Sequence, residues 1–257
     1  MTFDKFYNRV VINAHLVAIT PLYIGARTDS FKPGEINGSF LKDIYGQPYI
    51  PGSSLKGALR AFLSSVECRA FDKDSERQTH TNKVEDTFKQ KEDRAKYSSP
   101  QELADAIVSA STTVEKLFGT TVMAGKVKIA DALPLYEQTS TEVRNGVAID
   151  RDTRTAVGGA LFDTEVVPSG TVFKFMASAE NLAPDEADMF GKLLEYFAEG
   201  NITVGGRSRA GLGLIELTEI YVKAYRMSDN GFPIAVSKTG KCERNEMREE
   251  VCKCLQS

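Results

Sequence analysis

The order of periodic apolar segments in this 257-residue chain predicts an α+β fold with a ferredoxin-like β-α-β-β-α-β core and large insertions. Three observations lead there. Runs at 10–20, 122–133, 171–179 and 214–225 have the β-branched enrichment or alternation of strands. Stretches 53–66 and 184–198 repeat their apolar residues at helical spacing. These elements follow one another as strand, helix, strand, strand, helix, strand. Long polar or glycine-containing segments follow the first strand, the first helix and the second strand, and read as insertions. The expected organisation is a single domain over 1–225, with a mixed-charge insertion at about 67–100, a projecting hairpin at about 139–164 and a C-terminal tail over 226–257.

The first strand, VVINAHLVAIT (Val10–Thr20), interleaves Asn13 and His15 with apolar residues, which puts His15 on its polar or half-buried face. Residues 25–49 hold Gly, Pro, Asp and Asn at short intervals and read as an irregular, functional loop. Pro51-Gly52 marks a turn, and Ser53 or Ser54 is expected to cap a helix whose apolar face is Leu55, Leu59, Phe62, Leu63 and Val66. Glu67–Ser99 contains eight acidic and eight basic residues, so it is a mixed-charge insertion and not a basic tail. Ser99-Pro100 starts another helix, with Leu103, Ile107, Val114, Leu117 and Phe118 on one face and Gly119 ending it. Val122–Leu133 reads as a strand bent at Gly125. The stretch RNGVAIDRDTRTAVGGALFDTE, with Arg144, Arg151, Arg154 and Gly158-Gly159, suits a hairpin. Thr171–Ala179 is a strand, and Pro184–Ala198 an amphipathic helix with Met189, Phe190, Leu193, Leu194 and Phe197 together. The final strand is Leu214–Tyr225, and the Lys-, Arg- and Glu-rich remainder forms a short helix or a tail. The same sheet arrangement serves RNA-recognition domains, although a fold alone licenses no function.

Composition narrows the function classes. A hydrophobic fraction of 42% with 26% charged residues is that of a globular protein with a real core. The net charge of −3 means that any nucleic-acid binding depends on local patches. No run approaches the roughly 20 apolar residues of a membrane span. The start MTFDKFYNRV has an acidic residue and no apolar core, unlike a signal peptide, so the expected compartment is the cytoplasm. Cys68, Cys242, Cys252 and Cys254, with His15 and His80, fit no standard zinc spacing. Reduced, unliganded thiols are expected in preference to a zinc site built from Cys68, His80 and the tail cysteines.

Two stretches carry the chemistry. The serine-led helix places backbone N–H groups, Ser53, Ser54, Lys56 and Arg60 where they can meet an anion. The run Gly205-Gly206-Arg207-Ser208-Arg209-Ala210-Gly211-Leu212-Gly213 has two arginines among four glycines. Glycine allows close backbone approach, and arginine offers planar donors to phosphate oxygens. Its spacing is not G-x-G-x-x-G and it precedes a strand, so it is not a Rossmann loop. Ser53-Ser54-Leu55-Lys56, Ser228-Asp229-Asn230 and Lys238-Thr239-Gly240 match the three motifs of serine β-lactamases. The last two stand ten residues apart, where those enzymes need them on distant elements, so acyl-serine chemistry is set aside.

Ile24-Gly25, the polar loop after it, Gly46-Gln47-Pro48-Tyr49-Ile50-Pro51-Gly52-Ser53-Ser54-Leu55-Lys56-Gly57 and Arg60 together resemble the signature of the RAMP superfamily. More narrowly, they are similar to the backbone subunits of type III CRISPR effector complexes. Gly205–Gly213 resembles that superfamily's glycine-rich loop, and Val147–Asp163 its thumb hairpin. The resemblance covers roughly Val10–Tyr225. It implies a subunit that repeats along a CRISPR guide RNA, pairs the guide with single-stranded target RNA, and contacts other effector subunits, including copies or paralogues of itself. Ser53, Ser54, Lys56 and Arg60 are then the grip on the guide backbone. Arg207 and Arg209 approach it through Gly205 and Gly206, and Arg151 and Arg154 lie on the thumb.

In such subunits an aspartate of the first loop supports metal-dependent cleavage of target RNA. The matching position here is Asn37, and an amide can neither take a proton nor offer a metal a negative charge. Asp29 and Glu35 stand in the same loop as substitutes. The resemblance therefore leaves two readings open, a protomer that binds without cutting and an endoribonuclease using a divalent cation, Mg or Mn; the first needs no cofactor. An alternative from another class is a stand-alone endoribonuclease, metal-dependent or not, that processes precursor RNA. His15 is its only plausible histidine.

Overall fold

The central strand, β1 (Asn8–Ala18), alternates strictly between a buried and a solvent-facing side. The computed structural model describes residues 5–25, 38–67, 84, 87–88, 96–237 and 240–255. Within them β1 lies between β5 (Val172–Glu180) and β6 (Ile215–Met227), antiparallel to both. Val10, Ile12 and Leu16 of β1 are fully buried on one face, where Phe173, Phe175, Ala177 and Ala179 of β5 join them. β2 (Val127–Ile129) extends the sheet beyond β5, and β7 (Pro233–Ala235) beyond β6. The order is β2-β5-β1-β6-β7 with every pairing antiparallel, in a mixed α/β architecture.

The strand expected over 122–133 is shorter in the structure. Its early part bends where Gly125 passes so close to Phe118 that a Cβ would lie 2.4 Å from the Phe118 carbonyl carbon. Beyond β2 the chain pairs again, Ile50 and Ala132 exchanging backbone hydrogen bonds of 3.0 and 2.8 Å.

Two helices cover the buried face of the sheet. α1 (Gly52–Glu67) presents Leu55, Leu59 and Leu63 to the core. α4 (Pro184–Ala198) presents Phe190, Leu193, Leu194 and Phe197. The Phe197 ring packs 5.7 Å from that of Phe175, and Phe62 stacks on Tyr196 at 4.7 Å across the two helices. The expected serine cap is corrected. α1 begins at Gly52, so Ser53 and Ser54 stand inside its first turn, and Pro51 supplies the carbonyl that accepts from Ser54 and Leu55. At the start of α4, Glu186 accepts from the Ala183 N–H at 2.8 Å and from buried Lys126 at 2.5 Å. Lys126 also donates to the Asn181 carbonyl at 2.8 Å, so this buried charge pair is hydrogen-bonded on both sides.

The single helix expected after Ser99-Pro100 is two, α2 (Pro100–Ala110) and α3 (Thr113–Phe118). Thr112 and Glu115 form a reciprocal capping box, and this T-x-x-E start signal outcompetes continuation of α2. Val84 and Phe88, from the described part of the charged insertion, pack with Ile107 and Tyr97 in a small satellite cluster. β3 (Glu142–Ile149) and β4 (Ala156–Val166) form a separate two-stranded hairpin. At its tip Asp150 accepts from the N–H groups of Asp152 and Thr153 and from the Thr153 hydroxyl. These bonds, the Thr153 N–H first among them, hold the Asp150 carboxyl below its ordinary value.

After β7, Cys242, Cys254 and residues of α5 (Met247–Cys252) enter the main core. α4 and α5 touch at Gly191, where a Cβ would lie 2.6 Å from the Arg248 Cα. Burial pushes the Cys254 thiol up to about 12. Cys68 and His80 lie outside the described residues. Among the described residues no helix is long and apolar enough to cross a membrane.

Candidate nucleic-acid interface

Tyr23 stands where the first loop, the hairpin base and the glycine-rich run meet. Gly25 and Gly38 flank its hydroxyl, and a Cβ at either would lie 2.8 or 2.9 Å from that oxygen. Gly206 donates its N–H to the Tyr23 carbonyl at 2.9 Å. The neighbouring Gly205 has φ +86°, and a Cβ there would fall 2.2 Å from the same carbonyl oxygen. Only glycine satisfies both demands. The Arg207 guanidinium then lies over the Tyr23 ring, 5.6 Å from its centroid, in cation–π range.

The far end of the run is stapled to the same segment. Gly213 donates to the Pro21 carbonyl at 2.9 Å, and Leu214 to the Thr20 hydroxyl at 3.0 Å. Between the staples, Ser208–Ala210 make one 3₁₀ turn, and Arg207 sits in the left-handed region at φ 58°. A non-glycine residue held there marks a backbone fixed by its surroundings. Arg207, Ser208 and Arg209 are exposed.

The hairpin base closes on the first loop through backbone and side chain. Leu22 and Val167 exchange two 2.9 Å bonds, and Glu165 donates its N–H to the Gly38 carbonyl at 2.8 Å. The buried Glu165 carboxylate accepts from the Phe40 N–H at 2.9 Å, from Lys42 and from the Thr141 hydroxyl. Burial alone would raise its pKa. The hydrogen bonds from Lys42, Thr141 and Phe40 outweigh that and hold the carboxyl below its ordinary value.

α1 is anchored separately. The Gly52 N–H donates to Asp131 Oδ1 at 2.7 Å, and a Cβ at Gly52 would lie 2.2 Å from the Ile129 carbonyl oxygen. Ser53 is exposed, while Ser54, Lys56 and Arg60 are half-buried. Lys56 and Arg60 stand one turn apart, and like charges at that spacing weaken a helix by about 0.2–0.5 kcal/mol. Burial, and then the Arg60 charge, lower the Lys56 pKa. The helix carries no acidic residue in its first turn. Lys56 and Arg60 thus stand about one and two turns beyond the start of α1, half-buried on one flank of the helix.

The sequence pattern of the RAMP superfamily matches residues 15–216, a span holding the end of β1, all of α1, the hairpin and the glycine-rich run. The chain belongs to the RAMP superfamily. It is 23% identical over 220 residues, 82% of its length, to the CRISPR system Cms endoribonuclease Csm3 of Methanocaldococcus jannaschii, of which 79% is covered. A second match, to the Csm3 of Methanothermobacter thermautotrophicus, is 35% identical over 60 residues, 23% of this chain and 24% of that protein.

The superfamily chain distributes its candidate site residues unevenly. Gly205, Gly206 and Arg207 meet the first loop and the hairpin base at Tyr23, with Arg209 two residues beyond. Ser53, Ser54, Lys56 and Arg60 follow Ile50, whose segment also leads back to that loop. Arg151 and Arg154 are exposed at the hairpin tip, roughly 25 Å from its base at the strand rise of 3.3 Å per residue. Asp29, Glu35 and Asn37 lie outside the described residues. Among the described residues no group of three His, Cys, Asp or Glu side chains is placed to hold a metal ion. Sequence reasoning missed Tyr23, Glu165 and Asp131. The glycines at 25, 38, 205 and 206 signal close approach, but nothing in their spacing names Tyr23 as what they approach.

Proposed function

We propose that this RAMP-superfamily chain is a guide-RNA-binding backbone subunit of a type III CRISPR effector complex, pairing its guide with single-stranded target RNA. The observation that carries the reading is the junction at Tyr23, where backbone amides and the arginine-bearing glycine-rich run join the first loop. Lys56 and Arg60 supply a second cationic surface on the helix that this loop leads into. Phosphate contacts of this kind hold a backbone without reading its sequence. The match to Csm3 supports the same assignment. The strand order β6-β1-β5-β2, with α1 and α4 on one face, supports a ferredoxin-like core. The hairpin β3–β4, with Arg151 and Arg154 at its tip, is the thumb in this reading.

Target cleavage is assigned to the segment 26–37. Asn37 withholds the carboxylate that divalent-cation chemistry needs, so the chain binds and assembles in preference to cutting. Asn37→Asp is expected to raise Mg- or Mn-dependent cleavage of guide-paired RNA, read by gel electrophoresis of end-labelled target. Abolition of an existing activity by Asp29→Ala would move the assignment to Asp29. The test of the whole reading is purification with natural partners followed by sequencing of the bound RNA. Repeat-derived guides are expected; their absence sinks it.

A further inference from the structure

The sheet face opposite α1 and α4 has a composition that the guide-binding reading does not use. Cross-strand register puts Met176, Asn13 and Tyr221 in one row, with Lys174 beside His15 in the next and Lys223 opposite Val11 on the other side. Met176 and Tyr221 are 49% and 42% exposed, an apolar centre left open to solvent. Between Asn13 and His15 the pairing with β6 slips, and Glu219 takes up the extra length at φ 47°. Bulges of this kind re-aim side chains. Here the bulge borders a hollow of about 430 Å³ lined by Asn13, His15, Lys174, Met176 and Tyr221. A cavity of roughly 150 Å³ already admits benzene, so a nucleobase fits with room for its sugar.

Charge selects the occupant. The carboxylates on this face are already engaged. Glu180 pairs with Arg9 and Lys128, Glu219 with Lys241 at 2.7 Å, and Glu216 with Arg244 at 2.9 Å. Asp131, at the rim of the hollow, accepts from Gly52. Among the described residues Lys174 and Lys223 make no ion pair, against the single unpaired carboxylate of Asp131, so the uncompensated charge of the face is net positive on a chain whose net charge is −3. Lysine is depleted from the cores of protein–protein interfaces, whereas an aromatic ring set among lysines is the usual platform for unpaired bases.

We propose that this open sheet face is a second binding surface for single-stranded RNA, with Tyr221 stacking a base and His15, Lys174 and Lys223 meeting the adjoining backbone. RNA as the occupant rests on the guide-binding reading, but the residues involved are separate from it.

The test uses the full chain and a fluorescein-labelled octamer of 4-thiouridine, with photocrosslinked peptides mapped by mass spectrometry. Adducts are expected on peptides carrying Asn13–His15, Lys174–Met176 or Tyr221. They persist in a Lys56→Ala/Arg207→Ala double variant, which disables only the first grip. In that background Tyr221→Ala lowers octamer affinity about tenfold, within the range for one stacked base, while Tyr221→Phe leaves it unchanged. Adducts confined to α1 and the glycine-rich run overturn the proposal and leave the guide-binding reading standing. Unaltered affinity for Tyr221→Ala in the double variant also overturns it, as does crosslinking of this face to a co-purifying protein in place of RNA. A double variant that binds as wild type, with sheet adducts intact, defeats the α1 and glycine-loop assignment and keeps this one.

Discussion

In the proposed function the glycine-rich run and α1 prepare for the same ligand by opposite means. The run fixes its backbone, since Gly205 and Gly206 are pinned to the Tyr23 carbonyl and Arg207 is held over the Tyr23 ring. α1 fixes its side chains, since an ordinary helix places Lys56 and Arg60 on one flank and partly desolvates them. The difference teaches where each is fragile. A single methyl group at Gly205 disables the run by displacing main chain, whereas α1, beyond its tightly packed first residue Gly52, has room for one at Gly57 and depends in this reading on its cations.

The largest expected effect follows from Gly205→Ala. The left-handed φ and the 2.2 Å approach to the Tyr23 oxygen cannot both survive a Cβ. A loss on the order of 3 kcal/mol is expected in urea unfolding, with RNA affinity reduced at least tenfold. A variant as stable as wild type would show that the loop is not held as described.

Glu165→Gln comes next, because it removes the charge from a buried acceptor shared by Lys42, Thr141 and Phe40. A loss of about 2 kcal/mol is expected. The sign of its pH dependence follows from the depressed folded pKa. The Glu165 contribution is full above the ordinary glutamate value of 4.5 and is lost as pH falls through the lower folded value. Unfolding midpoints compared at pH 7 and pH 3 should therefore differ more for wild type than for Glu165→Gln. An equal difference would place the acid sensitivity elsewhere.

The smallest effect belongs to α1. A Cβ at Gly57 meets nothing within 4 Å, so Gly57→Ala should stabilise the chain by about 0.5–1 kcal/mol. Destabilisation comparable to Gly205→Ala would erase the contrast between the two regions.

Much of this was legible in the sequence because local periodicity and burial agree. β1, β5, α1 and α4 were readable as alternating or amphipathic runs whose apolar residues mostly face the core, although Val66, expected on the buried face of α1, is exposed near its end, and Met176 of β5 lies on the open face of the sheet. The break at Ser111–Thr112 was written in T-x-x-E but hidden by the continuing apolar spacing of Val114, Leu117 and Phe118. The cap of α1 was misread because Ser53 and Ser54 are good capping residues, while Asp131, which receives the first N–H, is remote in sequence. The site was visible only as parts. Gly25, Gly38, Gly205 and Gly206 announce tight approach, yet their common neighbour Tyr23 is an ordinary residue in a one-dimensional reading. Glu165 likewise looks like a surface acid until the hairpin folds its base onto Phe40 and Lys42.

The most direct measurement of the central claim, that α1 and the glycine-rich run grip one RNA backbone, is the salt dependence of binding to a single guide RNA. Lys56→Ala and Arg207→Ala should each lower the slope of log affinity against log salt by about 0.7, the value for one single-strand phosphate contact, and together by about twice that. A double variant with the wild-type slope would contradict the account.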